Sequence, residues 1–73
     1  MPDPIVIDGR DLLPPEPMEL ALAALDRLEA GQELLLLLHC EPHPLYSILK
    51  RNGYRYSSEM REDGCNAIHI NKA

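Results

Sequence analysis

The chain has 73 residues, which is enough for one small domain (1–73) with a single core. Hydrophobic residues make up 45% of it, a fraction typical of globular proteins and too high for intrinsic disorder. The formal net charge of −5 argues against nucleic-acid binding, because that binding requires a basic surface that displaces counterions from phosphates.

The sequence lacks the usual patterns for export or membrane insertion. Its first residues, Met-Pro-Asp-Pro, do not form the basic region and apolar segment of a secretory signal peptide. The leucine run Leu34–Leu38 is far shorter than the roughly 20 residues of a membrane-spanning helix. We therefore expect a cytoplasmic protein that does not bind membranes and whose two cysteines are thiols.

The N-terminal half predicts a strand followed by an amphipathic helix. Ile5–Asp8 is a short apolar strand after a flexible tail of residues 1–4, and residues 9–14 form a turn. Pro15 suits the first turn of a helix, where Glu16 and Glu19 complement the helix dipole. Gly31 is the expected C-cap. Apolar residues recur along this helix at the spacing of one buried face, namely Met18, Ala21, Leu22, Leu25 and Leu28.

The next two elements are predicted to be a buried strand and a second helix. Residues 33–39 are rich in leucine and lie between glycine and proline, which favours a strand that completes a βαβ unit. The second helix begins at His43 and Pro44 and ends at Gly53. Its buried face consists of Leu45, Ile48 and Leu49.

Residues 54–61 and 65–71 predict a terminal β-hairpin with two alternative registers. A two-residue loop would set Glu59 opposite Ile68, whereas a three-residue loop sets Ser58 there. We favour the three-residue loop, because a slip of one residue would turn the isoleucines outward. This register places five apolar residues on one face, namely Tyr54, Tyr56, Met60, Ile68 and Ile70.

These elements predict an α/β fold of the α+β two-layer type, in the order β-α-β-α-β-β. Four strands form a mixed sheet, and both helices cover one of its faces. A right-handed crossover makes the first two strands parallel, so their carboxyl ends meet at one sheet edge. Ligands of open α/β sheets bind at such an edge. We therefore expect residues 10–16 and 39–44 to be neighbours.

The turn after the first strand resembles the signature of TusA-like (SirA-like) sulfur carriers, Leu-Asp-x-Arg-Gly-Leu-x-Cys-Pro-x-Pro. The matching residues are Ile7, Asp8, Arg10, Leu12, Pro15 and Pro17. Asp11 replaces the glycine, and Pro14 stands where those carriers keep their sulfur-carrying cysteine. From Ile5 to Ile70 the chain resembles an uncharacterised branch with Pro-Pro-Glu-Pro and a later Pro-x-Pro-Leu-Tyr. The resemblance implies the TusA-like fold and supplies no activity.

We interpret the chain as a non-enzymatic binding or regulatory module without a cofactor. One alternative is a sulfur carrier or thiol redox protein that uses Cys40. Another is a metal- or haem-related accessory protein, with His39, Cys40 and His43 as candidate metal ligands, although strand alternation separates the first two. The residues predicted to form the binding site are Arg10, Pro14, Pro15, Glu16, His39, Cys40 and His43.

Two residue sets have competing interpretations. Arg10 could bind an anionic group, but an ion pair with Asp8 that fixes the turn is favoured. Both sides of the leucine strand are apolar, so the helix-free face needs cover from Tyr or Arg side chains or from another subunit. The expected partners are a protein or a small anionic ligand, together with a homodimer through the leucine-rich sheet face.

Overall fold

The computed structural model describes residues 3–72, which form the predicted α+β fold. Within them the order is β1 (Ile5–Asp8), α1 (Glu16–Arg27), β2 (Glu33–Leu38), α2 (His43–Arg51), β3 (Tyr54–Met60) and β4 (Asn66–Lys72). The strands form one mixed sheet in the order β1-β2-β4-β3. Neither described helix is long and apolar enough to cross a membrane. Of the tail predicted at residues 1–4, the first two residues lie outside the described part.

The core lies between the helices and one face of the sheet. β2 pairs in parallel with β1 and antiparallel with β4, so Leu34 lies opposite Ile70 and Leu36 opposite Ile68. This register places the even-numbered leucines of β2 beside the isoleucines of β4. The buried cluster comprises Ala21, Ala24, Leu25, Leu28, Leu34, Leu36, Leu38, Leu45, Leu49, Ile68 and Ile70.

The β3–β4 hairpin has the register predicted for a three-residue loop. Ser58 pairs with Ile68, and Gly64 has the left-handed φ of +85° that this loop requires. Met60 lies on the face of Ile68 and Ile70, as this register predicts, but its exposed fraction is 73%. Met60 is the last residue of the outer strand, next to the hairpin loop, and the buried cluster does not extend that far.

Helix α1 is shorter and buries a narrower stripe than the sequence pattern predicts. Leu22 was expected in the core but is 37% exposed. The helix ends at Arg27, and the extended Leu28 is its C-cap, whereas Gly31 lies in the turn before β2 with φ +82°. The chain therefore leaves the helix one turn earlier than expected. Strand β2 likewise ends at Leu38, so His39 lies outside it.

The second face of the sheet, which we call the open face, carries no helix in the described structure. Leu35 and Leu37 are half-buried there, and Val6 on the edge strand is 57% exposed. His69 lies in the middle of this face, with one ring nitrogen 3.1 Å from Glu33 Oε1 and the other 3.1 Å from Glu59 Oε1. Strand alternation places Tyr54 and Tyr56 on the helix side, packed against the core. The expected tyrosine cover is therefore wrong.

Candidate functional site

Three loops meet at the sheet edge where β1 and β2 end. The sequence predicted that residues 10–16 and 39–44 would be neighbours there, and residues of both line one cavity. The β3–β4 hairpin loop reaches the same edge, because β4 runs antiparallel to β2. Arg10 links the first loop to this third one, with Nη1 3.3 Å from Asp63 Oδ2.

Gly9 brings the loop after β1 into close contact with β2. Its backbone N–H donates to the Leu37 carbonyl over 2.8 Å, and the residue is buried. A Cβ atom at this position would lie 2.8 Å from Leu38 Cδ2 and 3.3 Å from both the Leu37 oxygen and Pro17 Cβ. The absent side chain therefore lets the proline-rich loop lie against the end of β2.

A cavity of about 240 Å³ opens between the first two loops, and we call it the proline cleft. Its wall is almost entirely carbon, and the polar side-chain groups in its lining are the Cys40 thiol and the Glu41 carboxylate. The volume is below the roughly 300–1,000 Å³ of most small-molecule sites. The lining residues are Pro14, Pro15, Pro17, Met18, Leu36, Leu38, Cys40, Glu41, Pro42, Pro44 and Leu45.

The helix N-termini at this edge offer few free donors for an anion. The Glu16 N–H donates to the Leu13 carbonyl over 3.0 Å, and the His43 N–H donates to the Glu41 carbonyl over 3.1 Å. Pro17 and Pro44 have no N–H. The arrangement therefore favours apolar contact over the anion binding that helix N-termini often provide.

The predicted binding residues do not form one group. Pro14, Pro15 and Cys40 line the cleft, whereas Glu16 is exposed at the start of α1 outside the lining. His43 is also exposed and lies outside the lining, 3.7 Å from Glu41 and edge-on to the Tyr46 ring.

Arg10 is paired with Asp8, which lies on the open face of the sheet. Arg10 Nη2 lies 2.7 Å from Asp8 Oδ2, which is the ion pair that the sequence analysis favoured. The hydrogen bonds from Arg10 lower the pKa of Asp8 to about 2, and His39 contributes a smaller electrostatic effect. The pKa of Asp63 is lowered chiefly by a hydrogen bond from the backbone N–H of Cys65, with a smaller contribution from Arg10. Arg10 therefore holds the loop after β1 in place and connects it to the β3–β4 hairpin loop.

The two cysteines differ in access. Both are free thiols, and Cys40 is exposed at the cleft whereas Cys65 is buried. Burial raises the pKa of the Cys65 thiol, and a hydrogen bond with Asp63 raises it further. Cys40 is therefore the cysteine available to a ligand or reagent in the folded protein.

The candidate metal ligands proposed from the sequence do not form a group in the structure. Cys40 lines the cleft, whereas His39 and His43 lie outside its lining. Among residues 3–72, no three His, Cys, Asp or Glu side chains form a group that could hold a metal ion.

Most of the cleft lining was missed by sequence reasoning, which selected polar and reactive residue types. A usable signal was the concentration of proline, because five of the seven prolines line this one cavity. The residues missed are Pro17, Met18, Leu36, Leu38, Glu41, Pro42, Pro44 and Leu45.

Comparison with known proteins assigns a family and no activity. The model of a family described as "uncharacterized conserved protein (DUF2249)" matches residues 6–72, a range that includes every residue of the cleft. No curated protein matches the chain. No solved structure matches it either.

Proposed function

Because the chain belongs to the DUF2249 family of uncharacterised conserved proteins, we propose a function from the geometry of its cleft. The protein is a non-enzymatic binding module that accepts an apolar side chain of a protein partner in the proline cleft. The observation that carries this proposal is a cavity of about 240 Å³ with an almost entirely apolar lining. It lies at the sheet edge where ligands of open α/β sheets generally bind.

The shape and chemistry of the cleft suit one large side chain. Its volume is too small for a haem-sized group. An apolar side chain that packs against its apolar wall is removed from water, and this burial favours binding. Five prolines with fixed φ angles hold the wall. A rigid wall loses little conformational entropy on binding, which favours affinity.

The resemblance to TusA-like carriers supports the same function. In that alignment Pro14 takes the place of the carrier cysteine, and Pro14 is a wall residue of the cleft. We infer a TusA-like domain in which an apolar contact surface occupies the position of the sulfur-transfer group.

An NMR titration with indole, a stand-in for a tryptophan side chain, tests the proposal. We expect amide shifts at Met18, Leu36 and Leu45, and their loss in Cys40→Trp, which fills the cleft. Ala23→Trp is the matched control, because Ala23 lines a separate groove of about 380 Å³ between the helices. Shifts that survive Cys40→Trp, or that centre on the Ala23 groove, would rule out the cleft as the binding site.

A second candidate function is sulfur transfer through Cys40. It is favoured by the position of this exposed thiol in the cleft wall, while Cys65 is buried. The Cys40 thiolate would attack the outer sulfur of a persulfide donor, forming Cys40–S–SH and releasing the donor as a thiolate. Intact-mass measurement after treatment should then show one added sulfur in the native chain and none in Cys40→Ser. An unmodified native chain would exclude this candidate.

Three other predictions have less support. A small anionic ligand would meet occupied or missing N–H groups, as well as the Glu41 carboxylate. For a metal-related role, residues 3–72 contain no group of three His, Cys, Asp or Glu side chains that could hold a metal ion. Homodimerisation through the leucine-rich open face stays a prediction, based on half-buried Leu35 and Leu37 beside exposed Val6.

A further inference from the structure

Strand β3 leaves one side of its backbone without a partner in the described structure. It is an outer strand of the sheet and pairs only with β4. It has seven residues, whereas the other outer strand, β1, has four. β3 contains neither proline nor glycine, so no residue type in it blocks further pairing. A free edge of this kind is a template for another strand.

The hairpin geometry identifies which backbone groups are free. The Arg61 N–H donates to the Cys65 carbonyl over 2.8 Å, so Arg61 is in a hydrogen-bonded position facing β4. Bonded positions alternate along an antiparallel strand, so Arg55, Ser57 and Glu59 also direct their N–H and C=O groups to β4. The even-numbered residues of β3 therefore direct theirs outward.

We propose that two copies of this chain associate through antiparallel pairing of their β3 strands around a two-fold axis at Ser57. The two four-stranded sheets then become one continuous sheet. Outward-facing residues pair with each other, so Tyr56 lies opposite the partner's Ser58 and Tyr54 opposite the partner's Met60. These pairs supply about eight backbone hydrogen bonds across the interface.

Charge complementarity selects this register. Centring on Ser57 sets Arg55 opposite the partner's Glu59, and two-fold symmetry repeats the pair. Both side chains then lie on the open face in a non-hydrogen-bonded position, where cross-strand side chains are closest. Within residues 3–72 Arg55 forms no ion pair, so its charge is free for this contact.

The neighbouring registers are less favourable. Centring on Arg55 or on Glu59 places like charges opposite each other, which is destabilising. Centring on Ser58 sets Arg55 opposite the partner's Arg61, and centring on Tyr56 sets it opposite the partner's Ser57. The Ser57-centred register also covers Met60, which is 73% exposed in the single chain, with the partner's Tyr54.

Sedimentation equilibrium of the full chain and of two charge variants tests the pairing. Wild type should dimerise at micromolar concentration. Arg55→Glu alone and Glu59→Arg alone place like charges opposite each other, and each should weaken dimerisation at least tenfold. An equimolar mixture of the two variants should dimerise again, because every cross-strand pair in the heterodimer is of opposite charge. A wild type that stays monomeric, or a mixture that stays as weak as its components, would overturn the proposal.

A disulfide test reports the register and does not depend on Glu59, which also contacts His69. In a Cys40→Ser background, Ser57→Cys sets two cysteines opposite each other on the axis, at a separation suited to a disulfide. Ser58→Cys is the matched control, because the partner's Tyr56 lies opposite it. Mild oxidation should cross-link Ser57→Cys at least tenfold faster than Ser58→Cys. Equal rates, or faster cross-linking of Ser58→Cys, would overturn the proposed register.

Discussion

Arg10 and Asp8 form a two-contact ion pair that holds the loop at the end of β1. Arg10 Nε lies 2.9 Å from Asp8 Oδ1, and Nη2 lies 2.7 Å from Oδ2. The same guanidinium reaches Asp63 in the hairpin loop. One side chain thus connects two of the three loops at the candidate site, even though it does not line the cleft.

This ion pair predicts a loss of stability in acid. The pKa of Asp8 is about 2 in the folded protein, below the ordinary 3.8, so the ionised form is favoured by folding. Its contribution is complete above pH 3.8 and is lost as the pH falls toward 2. Guanidinium unfolding midpoints measured across this range should fall less in Asp8→Asn than in wild type. Equal slopes in the two proteins would contradict the assignment.

His69 predicts the opposite dependence near neutral pH. Its pKa is raised above 6.5, chiefly by the hydrogen bond to Glu59 and also by Glu33, while burial acts against the rise. The protonated form is favoured by folding, so its contribution is complete below pH 6.5 and is lost as the pH rises through the folded pKa. As the pH rises through the folded pKa of His69, unfolding midpoints should decline in wild type and in His39→Gln, but not in His69→Gln. A decline that persists in His69→Gln would disprove the link.

Gly9→Ala should destabilise the protein by about 1–3 kcal/mol, because the new methyl group overpacks the contact with β2. The nearest atom it would meet is Leu38 Cδ2, at 2.8 Å. The cost should therefore be smaller in a Leu38→Ala background, as chemical denaturation of all four proteins would measure. Strictly additive losses would mean that this contact is not the source of the strain.

Alkylation should distinguish the cysteines. We expect iodoacetamide to modify Cys40 in the folded protein and to reach Cys65 after unfolding, because Cys65 is 1% exposed and its thiol pKa is raised by burial. Mass spectrometry of the native chain and of Cys40→Ser, each with and without denaturant, measures this directly. Modification of Cys65 at the same rate as Cys40 in the folded protein would contradict the burial of this thiol.

The sequence was sufficient to predict the order of the helices and strands and the register of the β3–β4 hairpin. Sequence periodicity indicates which side chains of an element face the core and which face outward. It did so for the spacing along α1, the leucines of β2 and the residues around Gly64. Such periodicity does not report how far a helix covers the sheet. For this reason Leu22 was expected in the core, and Met60 was placed on the face of the isoleucines, although both side chains are exposed.

The sequence predicted the sheet edge at which the candidate site lies, but not the residues that line it. Parallel β1 and β2 brought the two loops to one edge, as expected from the handedness of crossover connections. Which atoms face the space between them depends on packing that residue type does not reveal. His43 was predicted to bind a ligand because histidine is a reactive residue type, but it lies outside the cleft lining. Met18 and Leu45 were not predicted and form part of that lining. The contacts of His69 follow from the strand order, which places β4 between β2 and β3.

Thiol exchange at Cys40 tests most directly whether the proline cleft binds apolar groups. The protein is equilibrated with equal concentrations of phenylethanethiol and mercaptoethanol in a disulfide buffer, and the two mixed disulfides are quantified by mass. The reference is Leu13→Cys in a Cys40→Ser background, because Leu13 is 79% exposed.

We expect Cys40 to prefer the phenyl thiol about tenfold more than the reference cysteine does. That ratio corresponds to about 60 Å² of apolar surface removed from water by the cleft. Equal preferences at the two positions would contradict the claim that the cleft is a binding site for apolar groups.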